Sequence, residues 1–130
     1  MGDTAVVMDV TDHHDHIGVL MRGELDRLTC PAVRTRLRAL VEAAARPLVL
    51  DLAGVTFLDA AGLRLVESTA RYCAERGTGL AVTGVRPFTV KMFRLLRLHE
   101  RVPLCSSRQE ALWCLIPPTD AQIRAWLDGT

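Results

Sequence analysis

The run Pro47-Leu48-Val49-Leu50-Asp51-Leu52-Ala53-Gly54-Val55 is apolar almost without interruption, and that limits what can surround it. A strand with one wet face alternates apolar and polar residues, whereas a continuous apolar run needs cover on both faces of its sheet. The run therefore predicts a buried central strand, ending at a glycine turn at Gly54. An amphipathic helix follows, because Leu63, Val66, Ala70, Cys73 and Ala74 recur at helical spacing. Between strand and helix lies Leu58-Asp59-Ala60-Ala61-Gly62-Leu63. Asp59 is placed to cap the helix, its carboxylate accepting from the first unpaired N–H groups. A helix opening on Ala-Ala-Gly carries little bulk, which predicts a flat surface with bare backbone donors where a partner can come close.

The same reading extends in both directions. Thr4 to Thr11 is a valine-rich strand, Asp12-His13-His14-Asp15 a polar turn, and His16 to Gly23 a returning strand, so the chain opens with a hairpin. From about Pro31, Val33, Leu37, Leu40, Val41 and Ala44 hold helical spacing while Arg34, Arg36 and Arg38 point away as a solvated face. Pro31 suits the first turn of that helix, and Thr29 or Cys30 its cap. The helix after Asp59 runs to about Arg76 and closes at Gly77-Thr78-Gly79.

Leu80 to Thr83 is a short strand. Phe88, Met92, Leu95 and Leu96 mark the core face of a third helix, which Val90, Phe93 and Leu98 make apolar nearly all round. Pro103-Leu104-Cys105 is a last short strand. Ser107 to Glu110 has the capping-box pattern, opening a helix that turns Ala111, Leu112 and Leu115 inward. Pro117-Pro118 breaks it, and residues 119 to 130 can add one short helix with Ile123, Trp126 and Leu127. Trp113, Trp126 and Ile123 either pack this tail onto the domain or form a contact surface. The order β-β-α-β-α-β-α-β-α indicates an α/β fold with a mixed β-sheet flanked by helices and right-handed crossovers.

A chain of 130 residues can bury a core as one domain without staples. Its formal net charge of +1 argues against nonspecific nucleic-acid binding. No apolar run approaches the roughly 18–20 residues that span a bilayer, so no membrane insertion is expected. Met1-Gly2-Asp3 lacks the basic-then-apolar order of a signal peptide, which makes a cytoplasmic location the default. Cys30, Cys73, Cys105 and Cys114 have neither zinc-site nor C-x-x-C spacing and read as reduced structural thiols. His13, His14 and His16 with Asp12 and Asp15 read as a solvated hairpin turn rather than a metal site. Asparagine is absent and Lys91 is the only lysine, a codon signature of a high-GC bacterial genome. There is no G-x-S-x-G, no P-loop and no dinucleotide fingerprint, so no enzyme activity and no cofactor is expected.

The run Val55-Thr56-Phe57-Leu58-Asp59-Ala60-Ala61-Gly62-Leu63 resembles the signature of STAS domains, the fold of bacterial anti-sigma factor antagonists. Upstream, Gly23-Glu24-Leu25-Asp26 resembles a second signature at the end of the second strand. The resemblance covers residues 4 to 116 and leaves 117–130 as a C-terminal extension. It implies a partner-binding corner of Asp26, Asp59, Ala60, Ala61 and Gly62, facing an anti-sigma factor of the kinase type in partner-switching control of transcription. Phosphorylation-switched members carry Ser or Thr after the signature Asp. Here that position is Ala60, which cannot be phosphorylated, and its neighbour is Ala61. Thr56 is the substitute hydroxyl to consider, although it reads first as a β-branched strand residue. The alternative partner is the ATPase of a phospholipid-transport ABC system, whose STAS subunit needs no phosphorylation cycle. A homodimer or scaffold using the apolar tail is a third possibility.

Overall fold

The computed structural model describes residues 5–129, so Thr4, where the first strand was expected to start, lies outside the described residues. One sheet holds five strands in the order β1-β2-β3-β4-β5. β1 (Val7–Asp12) and β2 (Ile17–Leu25) form the antiparallel hairpin. β3 (Leu48–Leu58), β4 (Leu80–Thr83) and β5 (Leu104–Cys105) then add in parallel. The helices are α1 (Cys30–Ala43), α2 (Ala60–Glu75), α3 (Pro87–Leu95), α4 (Arg108–Leu115) and α5 (Asp120–Asp128), with a 3-10 turn at Leu98–Glu100. The alternation of strands and helices agrees with the sequence pattern up to α4.

Cover on both faces explains the apolar run. Leu48, Leu50 and Leu52 pack with Val33, Leu37 and Val41 of α1 and with Leu63, Val66 and Cys73 of α2. Val49 and Ala81 face the other way, into a smaller layer closed by Cys105 and Ala111 with Leu112 and Leu115 against it. Leu48, Val49, Leu50 and Leu52 therefore find hydrocarbon whichever way they point.

Three expectations need correction. Gly54 does not turn the chain, because β3 continues to Leu58. A Cβ there would lie 2.8 Å from the Met21 carbonyl oxygen and 2.5 Å from Arg22 Cγ, beside a register irregularity between β2 and β3. This glycine lets two strands approach closely at a bulge. In α3 the expected core face holds only at Met92, which packs against the core: Phe93 is fully buried, while Phe88, Leu95 and Leu96 are 72%, 66% and 54% exposed. In a helix apolar nearly all round, periodicity cannot choose the inward face; the position of the neighbouring strand does. The Ser107 capping box forms on one side only. Ser107 Oγ accepts from Glu110 N at 3.1 Å, but the Glu110 carboxylate accepts from Ser106 Oγ at 2.7 Å. The complete box sits instead at Thr119 and Gln122, opening α5, whose Ile123, Trp126 and Leu127 are exposed to solvent. No helix among the described residues is long and apolar enough to cross a membrane.

Candidate functional site

Two turns meet at the end of the sheet where β2 and β3 finish. In the first, Asp26 Oδ1 accepts from Leu28 N at 2.9 Å and Thr29 N at 3.0 Å. Thr29 Oγ1 in turn accepts from Asp26 N at 3.0 Å and donates to Glu24 O at 2.7 Å. Thr29 thus serves the turn and makes no side-chain cap on α1, which begins at Cys30. These polar bonds close the turn, and Arg27 and Leu28 are exposed on it.

In the second turn Asp59 caps α2 as expected, its Oδ1 accepting from Ala61 N at 2.8 Å and Gly62 N at 3.1 Å. The backbone donors of the Ala-Ala-Gly opening are therefore not bare, which corrects the sequence reading. Asp59 N donates to Leu25 O at 3.2 Å and joins the two turns. Gly62 is buried: a Cβ there would lie 2.8 Å from Leu25 O and 2.7 Å from Leu58 Cγ. It is the contact glycine between α2 and the end of β2, not a surface a partner can touch.

Ala60 is exposed and Ala61 half-buried. Together with Asp26, Arg27, Leu28, Phe57, Asp59 and Arg64 they line one shallow depression. Leu28 is 75% exposed and Phe57 50% exposed, an apolar pair at the surface. Arg27, Leu28, Phe57 and Arg64 escaped the sequence reading. A leucine inside a polar turn was the available signal for Leu28. Beneath the corner, burial and then Asp59 push the Cys30 thiol up, so it is an inert core residue.

Thr56 is exposed on β3 and donates through Oγ1 to Gly23 O at 3.3 Å. The histidine turn is not wholly solvated, because His16 is 2% exposed and stacks on His13 with ring centroids 4.2 Å apart. His16 Nδ1 pairs with Asp15 Oδ1 at 2.6 Å, and that bond holds the Asp15 carboxyl below its ordinary range. Arg46 bonds Asp12 and the His13 carbonyl, and Arg108 reaches His13 Nε2 at 3.3 Å. Of the arginines on α1, Arg34 is half-buried, whereas Arg36 and Arg38 are exposed, Arg38 lying 5.1 Å over the Tyr72 ring.

Residues 8–106 match the family model described as Mlab, STAS domain. Among solved structures the fold is similar to an anti-sigma factor antagonist from Mycobacterium paratuberculosis, 28% identical with a TM-score of 0.75, over 88% of this chain and 97% of that one. The phosphorylated form of the Bacillus cell fate determinant SpoIIAA is 17% identical with a TM-score of 0.63, over 82% of this chain and 96% of that one. The murine solute carrier 26 family member A9 anion transporter is 15% identical with a TM-score of 0.68, over 80% of this chain but 18% of the transporter. At such identities the last two share the fold.

Proposed function

The chain belongs to the STAS domain family, and from that premise we propose that it is an anti-sigma factor antagonist-like regulator, docking its corner onto an anti-sigma factor of the kinase type. Residues 4–116 form the working domain in this reading, and 117–130 an extension. Asp26, Asp59, Ala60 and Ala61 belong to the docking corner; Gly62 contributes by setting how closely α2 approaches. The observation that supports this best is the exposed Ala60 methyl, lining one depression with the exposed Leu28 and Phe57. A small residue beside two apolar anchors lets a partner surface close over them and expel water.

The missing hydroxyl sets the regulation. A phosphate adds about −1.5 to −2 charge. At a helix N-terminus that charge is locally favourable by about 0.3–1 kcal/mol. Release of a partner by phosphorylation must therefore act through clash and repulsion across the interface, not through loss of the helix. With Ala60 in place no such release operates there, and the protein stays in its binding form. It acts as a binding protein and not as an enzyme, in the cytoplasm, influencing transcription by occupying its partner.

The test is capture of a purified kinase-type anti-sigma factor from the same genome on the immobilised chain. Ala60→Glu should fold normally, yet like charge across an interface costs several kcal/mol, a loss of about 100-fold or more in affinity. Equal capture by wild type and Ala60→Glu would sink the proposal. The same unswitchable Ala60 suits a second reading, in which the chain is a subunit binding the ATPase of a phospholipid-transport ABC system. Capture of that ATPase, with no retention of the anti-sigma factor, would favour it.

A further inference from the structure

We propose that the outer face of α3 is a peripheral docking surface for a bilayer rich in anionic phospholipid, which the protein rests on and does not cross. The helix has two apolar sides. Phe93 is fully buried in the main core, with Met92 packed against it. At about 100° per residue, Phe88 stands roughly 140° around the helix from Phe93, and Leu95 about 20° from Phe88. Lys91 lies within about 60° of both, with Arg94 about 60° beyond it. Phe88, Lys91, Arg94 and Leu95 are all exposed, and so is Leu96, which caps the helix. Two apolar tips about 10 Å apart along the axis therefore point away from the domain, with cations between and beside them.

Charge identifies the occupant. Residues 86–101 hold Arg86, Lys91, Arg94, Arg97 and Arg101 against the single acid Glu100, whereas the whole chain has a formal net charge of +1. The rest of the chain is therefore net negative. An anionic surface attracts this segment and repels the remainder, which fixes how the molecule lands. Arg97 pairs with Glu100 and Arg101 with Glu67, while among the described residues Lys91 and Arg94 form no salt bridge. Arg97 follows the α3 cap with a left-handed φ of 60°, a position that glycine takes at least cost. Arginine at that costly position keeps one more cation at the end of the patch. Cations of one sign around apolar anchors match the headgroup layer of an anionic leaflet. Its phosphates take Lys91 and Arg94, and Phe88, Leu95 and Leu96 enter the boundary beneath them. The face is the convex side of a helix, so a folded protein would need a groove to receive it, whereas headgroups part around it.

The experiment sediments the full-length chain with phosphatidylcholine vesicles containing either no phosphatidylglycerol or about 40% of it. Binding should require phosphatidylglycerol and weaken as salt rises. Lys91→Glu should lower the partition coefficient about 30-fold, one attraction being exchanged for one repulsion. Phe88→Ala should lower it about 5-fold through lost apolar contact. Both side chains are exposed, so both variants should unfold at the wild-type midpoint. With Trp113→Phe and Trp126→Phe, Phe88→Trp becomes the single indole, and acyl-brominated phosphatidylglycerol should quench its emission. Absence of binding to the anionic vesicles at low salt would overturn the proposal. Binding that both variants retain in full, or an unquenched indole in the bound protein, would assign the contact to another surface and overturn it as well. Retention on polyglutamate or duplex DNA without binding to vesicles would make the ligand a soluble polyanion and refute the lipid. The vesicles carry no protein, so none of these outcomes depends on the docking corner.

Discussion

Substitution of Gly62 by alanine tests whether that glycine is a packing contact. The new Cβ would sit 2.8 Å from Leu25 O, 2.7 Å from Leu58 Cγ and 3.2 Å from Leu25 Cβ. Leu58 can swing away, but a backbone oxygen cannot. Relief therefore requires α2 to back off β2 by several tenths of an ångström, lengthening the Asp59 N to Leu25 O bond, now 3.2 Å. Overpacking of this kind costs about 1–3 kcal/mol, and a weakened hydrogen bond up to about 1 kcal/mol more. Against these stands the helix preference of alanine over glycine, at most about 1 kcal/mol. The net is destabilisation by about 1–3 kcal/mol, with the clash the larger effect. For a chain of this length, unfolding entropy near 2.1 cal/mol/K per residue converts about 2 kcal/mol into a fall in Tm of about 7 °C. Thermal and urea unfolding of Gly62→Ala beside wild type measure it. A Tm equal to or above wild type would refute the close approach and return Gly62 to the list of accessible corner residues.

Asp59→Ala removes the acceptor for Ala61 N and Gly62 N and should cost about 1 kcal/mol in urea unfolding, as lost N-caps do. Phe93→Ala should cost about 3–5 kcal/mol because the ring is fully buried. Phe88→Ala, on the same helix but exposed, should change stability by no more than about 0.5 kcal/mol; similar losses for both would show α3 rotated from its described face. Burial pushes the Cys73 thiol from its ordinary 9.0 up to about 11. The unfolded chain releases that proton first, so stability should decline as pH rises from about 9 to about 11, and Cys73→Ala should remove that part of the slope. Equal slopes would place Cys73 in a wetter site.

Local rules carried much of the fold. The Asp59 cap, the Gly77 turn and the stripe of Val33, Leu37 and Val41 depend on neighbours within a few residues, and those neighbours are in the sequence. Where a helix was apolar on every side, as in α3, the pattern held no direction and the buried face was misassigned. Gly54 and Gly62 were read as a turn and an open surface because glycine permits both. Only the Met21 and Leu25 backbones, distant in sequence, reveal that each is a place where two elements touch.

The sequence by itself determined the α/β alternation, the doubly covered central strand and the lack of a hydroxyl at residue 60. Each of these is a property of residue type and short-range spacing. Only the tertiary structure decided that Leu28 and Phe57 share a depression with Ala60, that Gly62 is closed off, and that Phe93 is the buried residue of α3. The reason is physical: the parallel crossovers join elements far apart along the chain, and no local periodicity encodes which side chains they bring into contact.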